Sequence, residues 1–357
     1  MHLSEVDPIV APGAVPFKGG RRYLLAMRTR LSLAVSTAIV AIMVGLGATV
    51  AAAQPTRTAP AALPQLDSAQ LIRDMFVIAA DSMEGRRAGT PGGARARTYL
   101  LARLKSIGVT PLRDSFPMAF SAEGRGGAKI EGTNLIGVIR GTRSPDRYIV
   151  LSAHYDHVGI RTEQIYPGAD DNASGTTAVL AIAAWLKANP PANSVIVALF
   201  DAEESGLVGA RRFLDAPPVP IEKIIANVNL DMVGRNDAGE LYAAGGWPNP
   251  VMRPLIAATA AVAPVTLKAG HDSGSTRDNW TSQSDHGAFH SKGIPWVYFG
   301  VEDHPDYHRP TDLPNRIQPG FFFRSATTIA DFVRRLDAAG DEVARVPHVP
   351  HDPHVPR

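Results

Sequence analysis

Short β-branched runs alternating with helical stretches predict an α/β fold, a mixed, mostly parallel central sheet flanked by helices on both faces. Two observations carry that expectation. Strand-like runs recur at 135–139, 148–152, 194–200, 224–230 and 296–299, and stretches of helical periodicity follow at 174–187, 204–214, 251–261 and 321–336. Acids and histidines fall at or just past the carboxyl ends of several of these runs, where open α/β sheets build their sites.

From the N-terminus, residues 1–53 read as an extension followed by a secretory signal peptide. Met27-Arg-Thr-Arg supplies a basic start, 31–50 an apolar run, and Ala51–Ala53 an A-x-A site with cleavage near Ala53. The Pro- and Gly-containing stretch before it points to Met27 as the true start. The expectation is export to the periplasm or medium, without stable membrane association after cleavage. The alternative is an anchor over 31–50, close to the ~20 residues that span a bilayer. Residues 54–66, rich in Pro, Ala and Thr, read as a flexible leader.

A single domain is expected over 67–340. Its first helical stripe is Leu71, Ile72, Met75, Phe76 and Ile78, and its second helix covers 94–107 and stops at Gly108. Between them, S-M-E-G-R-R-A-G-T-P-G-G reads as a loop. The stretch 236–283 is poorly periodic in part and is a candidate for a wall or lid. Residues 341–357 carry too many prolines for a helix or central strand and read as a disordered, Pro/His-rich tail, with His348, His351 and His354 solvated.

The formal charge of +2 comes from the N-terminus, because residues 1–53 hold five Lys or Arg against two acids and leave 31 basic against 32 acidic residues beyond. Such a balance offers no electrostatic attraction to nucleic acid or to an anionic membrane. The chain has no cysteine, which excludes disulfides, thiolate metal ligands and a Cys nucleophile.

The chemistry-bearing residues are strung in order: His154 in A-H-Y-D-H, Asp170 in P-G-A-D-D-N-A-S-G, Glu203 and Glu204 in F-D-A-E-E-S-G, Asp231 in N-L-D-M-V-G, and His308 in H-P-D-Y-H-R-P-T-D. Imidazole with carboxylate oxygen suits zinc among hydrolytic metals. Five ligands exceed what one catalytic zinc takes, but suit two ions that share a carboxylate. Asp156 is placed to accept the other N–H of His154. Glu203 and Glu204 read as neighbours at a helix start, where one can ligate while Glu203 acts as general base.

Together these motifs resemble peptidase family M28, the co-catalytic zinc aminopeptidases, over roughly 67–338. E-G-R-R-A-G-T-P-G and S-D-H-G-A-F-H-S-K-G-I-P add to the likeness. The resemblance implies a zinc exopeptidase-like fold, two zinc ions per chain, peptide substrates, and attack by a zinc-bridging hydroxide with Glu203 as the base. It also implies Asp170 as the shared carboxylate, His154 and Asp231 on one zinc, Glu204 and His308 on the other, and a cis peptide between Asp170 and Asp171. Only 111–133 separates the helical region from the strand at Asn134, too little for the protease-associated insert of many relatives. Asp285, His286 and Tyr307 are candidates for oxyanion stabilisation or substrate positioning. Met232, Phe289, Trp296 and Phe299 are candidates for an apolar side-chain pocket, with core packing as the alternative for the aromatics. The expected activity is that of an aminopeptidase. The alternatives are a carboxypeptidase or dipeptidase of the same fold, a single-zinc glutaminyl cyclase, and a non-catalytic binding domain.

Overall fold

The computed structural model describes residues 62–124, 127–273 and 278–350. The signal peptide, the anchor alternative and residues 54–61 of the leader lie outside these residues, as do 351–357 of the tail. Helix α1 (Ser68–Ile78) starts where Asp67 accepts a hydrogen bond from the Gln70 amide at 2.9 Å. Helix α2 (Pro91–Ile107) has Pro91 in its first turn and stops at Gly108, whose φ of 81° is the left-handed conformation that ends a helix cheaply in glycine.

Strands β1 (Thr110–Pro111), β2 (Pro117–Glu123), β3 (Lys129–Ile139) and β4 (Ser144–His154) follow. After the small hairpin β5 (Gly159–Arg161) and β6 (Gln164–Tyr166) come α3 (Gly175–Ala188), β7 (Asn193–Phe200), α4 (Val208–Asp215) and β8 (Ile224–Leu230). The chain continues through β9 (Glu240–Ala244), α5 (Arg253–Ala260), β10 (Thr266–Ala269), α6 (His286–Ser291), β11 (Trp296–Gly300), α7 (Pro319–Ala338) and α8 (Gly340–Val343). Among the described residues one sheet of nine strands runs in the order β1-β3-β7-β4-β8-β11-β9-β10, with β2 also paired to β3.

Strands β7, β4, β8 and β11 are parallel neighbours, whereas β3 joins β7, and β9 joins β11, antiparallel. The sheet is therefore mixed and parallel at its centre. β7 shows why it must be covered twice. Val195, Val197 and Leu199 face a core shared with α1, α2, α3 and α7, while Ile196, Ala198 and Phe200 face one shared with Phe213 of α4 and Phe289 of α6. Phe289, Trp296 and Phe299 are buried core residues, which settles their role as packing.

Two local expectations are corrected and a third is sharpened. The acids at 203 and 204 do not open a helix, because α4 begins only at Val208 and a turn precedes it. The stretch 236–283 is ordered for much of its length, supplying β9 and β10 to the sheet edge with α5 between them, while its end still serves as a wall, since Asp278, Trp280, Ser282 and Gln283 line the cleft described below. Residues from 341 do not begin as an irregular tail, since Gly340–Val343 forms α8 and buries Val343.

The loop before α2 holds a fully buried arginine. Arg86 donates to the main-chain carbonyls of Tyr155 (2.8 Å), Gly168 (2.8 Å), Ile78 (3.2 Å) and Pro167. One guanidinium thereby ties α1, the segment after β4 and the segment before α3 into a single block. Burial drops its pKa to about 10, and nearby Asp171, Asp312, Asp156 and Glu204 oppose the drop. Arg86→Met should lower the unfolding free energy of the metal-free protein by roughly 3 kcal/mol or more, since several buried carbonyls and acids lose their cation. Urea denaturation followed by circular dichroism measures this. A loss below about 1 kcal/mol would show that the guanidinium does not hold the block together.

Candidate metal centre

Four adjacent parallel strands deliver the site residues at their carboxyl ends. His154 closes β4, Asp231 follows β8, Glu203 and Glu204 follow β7 after a short turn, and His308 lies in the loop after β11. The fifth contribution comes from the irregular segment Ala169–Ser174 ahead of α3.

His154 is fixed by its own neighbourhood. Its Nδ1 donates to the Asp156 main-chain carbonyl at 3.1 Å, which leaves the Nε2 lone pair 3.2 Å from Asp231 Oδ1 and 3.5 Å from Asp171 Oδ1. The Asp156 carboxylate is farther from Nδ1, at 3.7 Å, and instead accepts the Glu203 amide at 3.0 Å. Asp156 thus holds the ring through its carbonyl and positions the Glu203 turn through its side chain.

A second group of donor atoms sits beside the first. His308 Nε2 lies 3.0 Å from Asp171 Oδ2 and 3.3 Å from Glu204 Oε2, and His157 Nδ1 lies 2.7 Å from Glu204 Oε1. His154, Asp171 and Asp231 form one cluster, and His157, Asp171, Glu204 and His308 form the other, with ligand atoms in each within 4.8 Å of one another. The shared residue is Asp171.

That sharing corrects the reading of the D-D pair by one residue. Asp170 points away from both clusters, its Oδ1 accepting the Gly234 amide at 2.7 Å and its Oδ2 lying 3.2 Å from His304 Nε2. Asp312 accepts the amides of both Asp170 and Asp171, fixing a backbone on which the two carboxyls diverge. The cis peptide likewise joins Asp171 to Asn172 and not Asp170 to Asp171. Asn172 bonds to the Leu230 carbonyl at 2.9 Å and accepts from the Gly175 and Met232 amides, so the segment is tied to the end of β8.

Buried acids surround the clusters. Burial raises Asp201 to about 7, Asp285 to about 8 and Asp312 to about 6. Burial also pushes Glu203 well up, although His154 pulls against it. Glu204 is held well below the usual carboxylate range, against its burial, by the neighbouring imidazoles of His157 and His308.

The donor set fits divalent metal. His157 Nδ1 and Nε2 and Glu204 Oε1 are buried with no hydrogen-bond partner among the described residues, although Nδ1 and Oε1 are only 2.7 Å apart. An imidazole nitrogen and a carboxylate oxygen that close without alignment for N–H donation are arranged as ligands of a common ion.

A cleft of about 650 Å³ opens over both clusters, lined among others by Glu203, Leu207, Met232, Trp280, Tyr298 and Tyr307. Tyr307 stacks on His308 with ring centroids 4.0 Å apart, and burial raises its phenol beyond the range in which it would ionise. Asp285 and His286 do not line the cleft. They lie behind its wall, where His286 bonds to the Trp280 carbonyl at 2.8 Å and burial lowers it to about 3, keeping it neutral.

Several residues escaped sequence reasoning. His157 stands three residues past His154 in the same A-H-Y-D-H motif, and Asp312 stands in the quoted P-T-D, so a signal existed for both. Arg86, Asn172 and His304 also stand in quoted motifs, E-G-R-R, D-D-N-A and H-P-D-Y-H, but nothing in those motifs told which contacts they make.

Residues 134–333 match the model of peptidase family M28. The aminopeptidase YwaD of Bacillus subtilis strain 168 is 35% identical over 192 residues, covering 50% of this chain and 39% of that protein. A probable glutamate carboxypeptidase, VP8 of Zea mays, is 30% identical over 200 residues, or 51% of this chain and 26% of that protein. The chain thus spans well under half the length of these relatives. Among solved structures, the Bacillus subtilis zinc aminopeptidase BSAP aligns with TM-score 0.63 at 17% identity, covering 76% of this chain and 95% of that one. Porphyromonas gingivalis glutaminyl cyclase aligns with TM-score 0.65 at 19% identity, covering 77% and 99%. At such identities the likeness is one of fold. Because the family match extends over more than half of the 357 residues, the chain belongs to peptidase family M28.

Proposed function

We propose that the protein is an exported two-zinc exopeptidase that removes residues from the amino end of peptides. The observation that carries the direction is the charge of the cleft. Exposed Asp278, Glu302 and Asp303, which belong to neither cluster, line it, whereas Arg211 is the lone Lys or Arg among its described lining residues. A free α-ammonium is attracted into such a cleft, and a free α-carboxylate is repelled. The names of several relatives agree with this direction. The cluster of His154, Asp171 and Asp231 favours two metals over the single-metal reading of a cyclase.

His154, Asp171 and Asp231, with Glu204 and His308 beside them, would hold the two zinc ions, which would supply Lewis acidity toward the scissile carbonyl and an attacking water. Glu203 takes that water's proton. Its turn is held by Asp156, and burial keeps its proton affinity high, which suits a group that accepts a proton and returns it to the leaving amine. Tyr307, protonated and facing the cleft, is placed to donate to the developing oxyanion. Trp280, Met232 and Leu207 give the cleft an apolar wall for a side chain.

Export rests on residues 1–53; among the described residues no helix is long and apolar enough to cross a membrane. N-terminal sequencing of protein from a periplasmic or culture fraction should give a start near Gln54. A full-length membrane-bound product would identify an anchor instead.

The carboxylates should separate by substitution. Glu203→Gln should reduce kcat by roughly 10²-fold or more with zinc content unchanged. Glu204→Ala and Asp171→Ala should lose zinc as well as activity, and Asp170→Asn should retain zinc far better than Asp171→Ala. Equal zinc loss at 170 and 171 would contradict the assignment of Asp171 as the shared carboxylate.

Peptides blocked at either end test direction. Acetylation of the amino end should abolish cleavage and amidation of the carboxyl end should not. The reverse pattern would mark a carboxypeptidase, and conversion of amino-terminal Gln to a lactam without hydrolysis would mark a cyclase.

A further inference from the structure

We infer that His157 is a fourth protein ligand of one metal position, which makes the two positions unequal. One would be closed by His157, Asp171, Glu204 and His308, and the other held by His154, Asp171 and Asp231 alone. This rests on the two-metal reading above and adds to it the identity of one ligand and the asymmetry it creates.

The geometry of His157 leaves few other roles. The ring is fully buried, with Nδ1 2.7 Å from Glu204 Oε1 and 3.6 Å from Asp171 Oδ2. Its other side is closed by Gly168, which sits at φ +56° and where a Cβ would come within 2.5 Å of His157 Cδ2. The ring is therefore clamped facing the cluster, and His308 meets it edge-on with centroids 5.6 Å apart. A plain ion pair with Glu204 does not account for this arrangement, because neither His157 nitrogen nor Glu204 Oε1 makes an aligned hydrogen bond among the described residues. Leaving such a buried polar atom unsatisfied is unfavourable. A cation accepting the Nδ1 lone pair and the Oε1 charge satisfies both at once.

Four protein ligands complete the tetrahedral shell of zinc, as in sites that hold their metal permanently, whereas three leave a place open. The His157 position is thus expected to release its ion slowly. The His154 position is expected to exchange its ion and to offer the open coordination place.

The test reads metal retention and ligand count. Fully loaded protein mixed with a chromophoric chelator should release zinc in a fast and a slow phase. In His157→Ala the slow phase should accelerate by at least the 10–100-fold typical of losing even an outer-sphere partner, with the fast phase unchanged. Release of both ions at wild-type rates by a folded variant would overturn the assignment. Cobalt-substituted wild-type protein gives a second readout that needs no variant. Three solvent-exchangeable, paramagnetically shifted imidazole N–H signals are expected at full loading, two of them at the tighter position, and a tighter position showing one would overturn the proposal. Should the protein bind a single ion, the two-metal reading fails by itself, and the same count on that ion still decides His157: two signals support it and one excludes it.

Discussion

Buried negative charge is the constraint on which this structure depends. Asp156, Asp171, Asp201, Asp231, Asp285 and Asp312 are all buried around the carboxyl ends of β7, β4, β8 and β11. Removing carboxylates from water is costly unless each gains a proton, a donor or a cation. Asp312 takes the amides of Asp170 and Asp171, and Asp201 takes those of Thr133 and Ala202 with the Tyr155 hydroxyl. Burial drives Asp285 toward its protonated form. Arg86 places one buried cation behind the centre. What remains uncompensated is the pair of His/carboxylate clusters, and that residue of charge is what a pair of divalent ions would neutralise.

The same groups that offset charge also fix geometry. The loops bearing Asp171, Glu203 and Asp231 are irregular, and irregular backbone does not by itself hold a carboxyl to a fraction of an ångström. Asp312 orients the Asp171 segment, Asn172 fastens it to Leu230 and Met232, and Asp156 links the ring of His154 to the turn of Glu203. None of Asp312, Asn172 and Asp156 lines the cleft. Together they allow three strands and two loops to present their donor atoms as preformed clusters.

The M28 scaffold aligns equally well with an aminopeptidase and a glutaminyl cyclase, so the fold leaves the reaction open. In this chain the discriminating features sit in the cleft. A second cluster built on His154 and Asp231 supports a two-metal hydrolase, and the acidic lining with Arg211 as its lone described arginine supports recognition of an amino end.

Residue order alone determined the layering, because strand and helix periods survive any tertiary arrangement: β8 occupies the predicted 224–230, and Gly108 ends α2 as read. It also determined that His154, Asp231 and the 203–204 pair stand at strand ends. Three things awaited the folded chain. Which of Asp170 and Asp171 faces the clusters depends on Asp312, Gly234 and His304, all more than sixty residues away. Whether Glu203 and Glu204 open a helix was decided by the turn that delays α4 to Val208. That His157 joins Glu204 and His308 depends on Gly168 closing the space behind its ring. The first of these contacts joins residues distant in sequence, and the other two depend on backbone conformations, the turn at 202–208 and Gly168 at φ +56°, that hydrophobic periodicity does not record.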